Sequence, residues 1–208
     1  MIKNIVFDMG NVLIYFDRNA FLDKAGVTDP ADRQILLREV YLSLEWSMMD
    51  RGSLTDYQAA ERMEKRVPDR LKKYVHALVE QWDRPILPVP GMAELVKELK
   101  QNGYSIYLLS NASFHQHDYW QKIPGHEFFD GTLISADVHL VKPQPEIYEL
   151  LCRLYSLDKK ETVFIDDATP NVEGAVWSGL NGIVFHDDVS ELRSKLSDLG
   201  VKIAMQDV

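Results

Sequence analysis

The chain has 208 residues, 46% of them apolar, enough for one sizeable core with a small insert and too few for two full domains. With 23 basic against 32 acidic residues, its net charge of −9 opposes a nucleic-acid backbone or an anionic membrane as the main partner. The single cysteine, Cys152, finds no partner within the chain and reads as a small buried hydrophobe, so no disulfide framework is indicated. The start lacks a basic leader followed by a long apolar run, and no segment approaches the ~20 apolar residues that cross a bilayer. A cytoplasmic location is expected.

In chain order, the first apolar run, Ile5 to Phe7, delivers Asp8 at its end. Residues 15–86 follow with helix-period patterns (ADRQILLREVYLSLEW, LTDYQAAERMEKRV, RLKKYVHALVEQW) and no convincing strand. They predict an all-helical insert directly after the first strand. The exit, RPILPVPG from Arg84 to Gly91, is proline-rich and suits a stiff connection. Beyond it come a helical segment over 92–103 with a glycine stop, the run IYLL over 106–109, and a helix over 145–157. The run TVFI over 162–165, a helix over 172–179 and the run GIVF over 182–185 complete the series. Short unbroken apolar runs suit strands covered on both faces. Their alternation with helices predicts an α/β fold: a doubly wound, Rossmann-like parallel sheet core of residues 1–14 and 87–208, with a helical cap domain over residues 15–86.

Ligands in such sheets bind beyond the carboxyl ends of the strands, so the polar residues that follow each run are the candidates. These are Asp8, then Ser110 and Asn111, then Asp166 and Asp167, with Lys142 at the turn VKPQP before a helix. Acidic groups, a hydroxyl and an ammonium in one crevice can hold a divalent cation and a phosphate together. Within the insert, the loop from Trp46 to Gly52 lies where it can dip toward the site, and Arg51 is its best candidate for substrate contact. Met48 and Met49 read as core of the insert. His115 and His117 are two apart, but no third ligand falls at matching spacing, so zinc is not indicated; His115 remains a candidate phosphate or sugar contact. No G-x-G-x-x-G follows a strand, which argues against a dinucleotide fold.

The order FDMGNVL, LLSNAS, VKPQPEIY, FIDDATPNVEGA resembles the four motifs of the haloacid dehalogenase-like hydrolase superfamily, and the insert resembles its mobile cap. The resemblance implies Asp8 as nucleophile, Ser110 as a ligand of the transferred phosphoryl group, and Lys142 as the charge that neutralises both. It further implies Asp8 and Asp167 as Mg²⁺ ligands with Asp166 beside them and the Gly10 carbonyl as another metal ligand, and the spacing from Asp167 adds Asn171 as a supporting partner. Asn111 joins Arg51 and His115 as a substrate-binding candidate. Phosphatases of this superfamily carry a second aspartate two residues after the nucleophile as general acid and base, and here that position is Gly10. Proton transfer must then come from elsewhere, or the leaving group must need little of it.

The Asp-x-Gly-Asn-Val form, with SNASFHQ and FIDDATPNVEGA, looks closest to the glucose-1-phosphate phosphatase-like branch. The expectation is a Mg²⁺-dependent phosphatase of a small phosphate ester, a sugar phosphate foremost, working through an aspartyl phosphate on Asp8. Two alternatives stay open. One is a haloacid dehalogenase, whose motif resembles Asp-x-Tyr and which needs no metal; the other is a silent metabolite-binding protein that lost turnover with its acid.

Overall fold

The apolar runs become strands of one sheet. In the computed structural model, which describes residues 1–203, β1 (Asn4–Phe7), β2 (Ser105–Ser110), β3 (Gly131–Ile134), β4 (Thr162–Asp166) and β5 (Asn181–Val184) are all parallel, in the order β3-β2-β1-β4-β5. The first strand is central, so its end is flanked by the ends of β2 and β4. This is the doubly wound α/β architecture expected of the alternating pattern.

Eleven α-helices are described. Five lie in the insert: α1 (Arg18–Lys24), α2 (Pro30–Leu36), α3 (Leu44–Asp50), α4 (Asp56–Glu64) and α5 (Asp69–Glu80). The sheet is dressed by α6 (Met92–Gln101), the single turns α7 (Gln116–Tyr119) and α8 (Ser135–Val138), then α9 (Pro145–Leu154), α10 (Thr169–Trp177) and α11 (Val189–Asp198).

Because side chains alternate across a strand, β1 sends Ile5 and Phe7 to one face and Val6 to the other. The first face packs with Leu95 and Leu99 of α6 and Leu192 and Leu196 of α11. The second packs with Ile147 and Leu151 of α9 and Ala175 of α10. The insert encloses a core of its own, built from Leu22, Leu36, Met63, Leu71 and Val75 among others. Its entry and exit run side by side: the Tyr15 N–H donates to the Leu87 carbonyl at 2.8 Å, and the Val89 N–H to the Leu13 carbonyl at 3.0 Å. Trp82 packs against both cores at this junction.

Several elements differ from the sequence reading, among them residues 46–50, which read as loop but belong to α3. β3 was not expected, because GTLI is a four-residue edge strand with a half-exposed first half and lacks the unbroken apolar signature. Residues 31–46 predict one helix, yet α2 passes into a π turn at Leu37–Tyr41 and the chain breaks before α3. Ser43 restarts it by accepting the Trp46 N–H at 3.2 Å, an N-cap contact that leaves Leu42 and Leu44 facing solvent.

Candidate active site

The floor of the site is assembled at the carboxyl ends of β1, β2 and β4. The Asp8 N–H still donates to the Ile165 carbonyl at 2.8 Å, so Asp8 leaves the sheet as a rigid extension of β1. The chain then turns tightly, with the Leu13 N–H on the Met9 carbonyl at 2.8 Å and Asn11 at φ +54°, a conformation that asparagine tolerates better than most residues. Asn11 is a site residue the sequence reading missed. Its side-chain oxygen accepts from the Phe16 N–H at 3.0 Å and its amide donates to Asp167 Oδ2 at 3.1 Å, tying the first turn to the acidic loop and to the entry of the insert. An asparagine directly after a glycine at a strand end is the signal that was available.

Lys142 is the centre of the floor. Its ammonium donates to Asp8 Oδ1 at 2.6 Å, to Asp166 Oδ2 at 2.7 Å and to the Leu109 carbonyl at 3.0 Å, which uses all three protons. The side chain is 1% exposed. Burial works against the charge, but the two carboxylates outweigh it and hold Lys142 above the usual lysine value. Asn111, expected to bind substrate, instead clamps the Lys142 backbone: its Oδ1 accepts the Lys142 N–H at 2.8 Å and its amide donates to the Lys142 carbonyl at 3.0 Å. A side-chain amide satisfied in both directions by one peptide positions the lysine and has little left for a ligand.

Asp166 is fully buried and fully engaged, accepting from Lys142, from the Ala168 N–H at 2.8 Å and from the Asn171 amide at 3.1 and 3.0 Å. Asn171 therefore supports Asp166, not Asp167. Ser110 closes β2 beside Ile134 and is buried, while the cavity wall at that point is made by Asn111, Ala112 and Ser113.

Three carboxylates, Asp8, Asp166 and Asp167, offer oxygens within 4.8 Å of one another against one ammonium. Burial, countered by Lys142 and reinforced by Asp166, pushes the Asp8 carboxyl up to about 7. Burial likewise raises Asp167, against the pull of the Asn11 hydrogen bond. An all-oxygen donor set with surplus negative charge fits a hard divalent cation. Asp167, the exposed member of the trio, is open to receive one.

The roof comes from the insert. A cavity of about 260 Å³ lies between floor and insert, with Phe16, Trp46, Met49 and Trp82 above it and Tyr119 of α7 at its side. Arg18, Asp50 and Asp56 add polar groups to this wall, and none of the three was anticipated. Arg51 was anticipated and is not there: it is exposed beyond the end of α3, and its carbonyl accepts from His139 Nδ1 at 3.0 Å. A helix turns by about 100° per residue, so Asp50 faces inward where its neighbour faces out. His115 also lies outside the cavity. Its Nε2 sits 3.0 Å from Asp83 Oδ1 and its Nδ1 3.2 Å from Asp118 Oδ2, in a separate hollow with Thr55 and Tyr57.

The chain is 27% identical over 198 residues to the sesquiterpene phosphatase astK of Aspergillus oryzae, spanning 90% of this chain and 92% of the relative. It is 24% identical over 184 residues to the D-ribitol-5-phosphate phosphatase of Bacteroides thetaiotaomicron, spanning 83% and 86%. Among solved structures, a HAD family enzyme of B. thetaiotaomicron in complex with magnesium and inorganic phosphate superposes with a TM-score of 0.68 at 25% identity, over 92% of this chain and 99% of that one. The model of the haloacid dehalogenase-like hydrolases matches residues 2–179, from before β1 to beyond α10, and the chain is a hydrolase belonging to that family.

Proposed function

We propose that the chain is a Mg²⁺-dependent phosphatase of small organic phosphates, sugar phosphates foremost, acting through an aspartyl phosphate on Asp8. The observation that carries the reading is the Lys142 ammonium fixed between Asp8 and Asp166, with Asp167 in reach of the same point. Lys142 neutralises a nucleophile and an incoming dianion at once, the main obstacle to carboxylate attack on phosphorus. Asp8 attacks with the oxygen that Lys142 does not hold. Mg²⁺, carried by Asp8 and Asp167 with the Gly10 carbonyl, would supply further charge neutralisation and orient the phosphoryl group. The insert excludes bulk water above the reacting atoms.

The aromatic roof suits the apolar face of a sugar, with Arg18, Asp50 and Asp56 available to hydroxyls. The same rings favour a second reading, a phosphate of an apolar alcohol. A screen of sugar, polyol and prenyl phosphates with added Mg²⁺, reading phosphate release, decides between them. Chelator should stop the reaction and Mg²⁺ restore it. Halide release from 2-haloacids, undiminished by chelator, would replace the phosphatase reading with the dehalogenase one.

Gly10 gives a test of its own. A Cβ there would meet Phe16 Cβ at 3.9 Å, an ordinary contact, so Gly10→Asp should fold with a stability change within about 1 kcal/mol. Its effect on phosphate release from alkyl phosphates should stay within about tenfold, because nothing at that turn positions the new carboxylate. A gain beyond about a hundredfold would show that the chain is starved of protons at the leaving oxygen.

A further inference from the structure

Transfer of phosphate from an alkyl ester releases an alkoxide, which needs a proton as it leaves. The floor offers none. Gly10 has no side chain, the Lys142 protons are held by three acceptors, and Asp166 is saturated by its partners. Of the remaining cavity carboxyls, Asp8 is the attacking group, Asp167 is bonded to Asn11, and Asp56 Oδ2 accepts from Ser113 Oγ at 3.0 Å. The Tyr119 hydroxyl holds its proton too firmly, since burial raises it well above the tyrosine value. Asp50 is different: among the described residues its carboxyl has no hydrogen-bond or ion-pair partner, and it lines the same cavity as Asp8.

Its backbone is held in place. The Asp50 carbonyl accepts from Ser135 Oγ, which also receives the Ala112 N–H at 2.9 Å, so α3 is pinned to the loop that follows β2. Two residues on, a Cβ at Gly52 would lie 2.2 Å from the Ala136 carbonyl oxygen, so the chain passes too close to the core for any other residue. A carboxyl on the last turn of a helix docked this tightly is a fixed feature of the roof.

We propose that Asp50, reaching down from the insert, is the general acid and base of this site; the assignment rests on the phosphatase reading above. In the first step Asp8 forms its bond to phosphorus as the ester P–O bond breaks, and the Asp50 carboxyl gives its proton to the departing oxygen. In the second, water bonds to phosphorus as the bond from Asp8 to phosphorus breaks and the Asp50 carboxylate takes the water's proton, which releases inorganic phosphate and leaves Asp8 a carboxylate and Asp50 protonated again. Burial, with repulsion from Asp56 and Asp8 and opposing attraction from Lys142 and Arg18, lifts the Asp50 carboxyl to about 8, so it carries a proton at neutral pH.

The test is Asp50→Asn, which keeps shape and removes the proton, followed in single turnovers with Mg²⁺ on an alkyl phosphate and on p-nitrophenyl phosphate. The expected result is a loss of about 10²–10⁴-fold in alcohol release from the alkyl ester. On the aryl ester the first turnover should fall by less than about fivefold, giving a burst of nitrophenolate ahead of slowed steady-state release. The variant's melting temperature serves as the folding check, and Asp50→Ser serves as the alternative should the amide fail to fold. Equal losses on both esters, or no loss on the alkyl ester, overturn the role of Asp50 while leaving the phosphatase intact. Absence of phosphate release from the unaltered chain on every ester overturns the phosphatase reading itself.

Discussion

Asp8→Asn is expected to abolish phosphate release, by a factor on the order of 10³ or more, while the fold persists. The amide cannot attack phosphorus, and loss of a covalent nucleophile is among the largest single effects in enzymes. Its oxygen can still accept from Lys142, which now donates to Asp8 Oδ1 at 2.6 Å. Stability supplies the control. The Asp8 carboxyl in the folded, metal-free chain lies at about 7, above the ordinary carboxylate value, chiefly because it is buried. The native state therefore binds more protons than the unfolded one between about pH 4 and pH 7, and ionising Asp8 lowers stability as pH rises through that window. The variant escapes this penalty. In chelator-treated buffer it should melt at or above the unaltered chain near about pH 7.5, with the gap closing toward about pH 4. Turnover comparable to that of the unaltered chain would remove Asp8 from the chemistry, whatever the melting curves show.

What the sequence made legible follows from where each residue gets its position. Asp8, Asp166 and Lys142 are placed by strand ends and a strand-proximal turn, and parallel strands of one sheet end together, so reading the residue after each apolar run collects the floor. The partners inside that floor are harder. Spacing alone assigns Asn171 to Asp167, but it sits in the first turn of α10, where its amide reaches back to the buried Asp166. Asn111 looked like a ligand because it follows a strand, yet its peptide-like side chain matches the Lys142 backbone, 31 residues away. The roof was least legible. Whether Asp50 or Arg51 faces the cavity depends on the rotation of α3, which the break at Ser43 and the contact of Asp50 with Ser135 determine. No local pattern encodes that docking. His115 illustrates the same point: its partner Asp83 lies 32 residues earlier, at the exit from the insert, and only the packed junction brings them together.

Lys142→Met should damage both stability and turnover, and the pH dependence of the damage identifies its cause. Methionine preserves most of the buried stem but leaves Asp8 and Asp166 facing each other without the ammonium that now lies 2.6 and 2.7 Å from them. Removing one partner of a buried ionic group costs about 3–5 kcal/mol, because the remaining charge is stranded. Without the ammonium the site takes up a proton, and the Asp8 carboxyl, already raised to about 7, moves further above the unfolded carboxylate range. The native state then binds more protons than the unfolded state, and stability falls as pH rises from about 4 upward. Urea melts of the metal-free variant near about pH 5 and about pH 7.5 should therefore show the smaller deficit at the lower pH. Turnover with saturating Mg²⁺ should still fall by about 10²–10³-fold, since the cation replaces screening charge but not the fixed donor to Asp8. A deficit independent of pH, or smaller than about 1 kcal/mol near about pH 7.5, would mean that the lysine fills space at this point of the floor and that the charge balance of the site is set elsewhere.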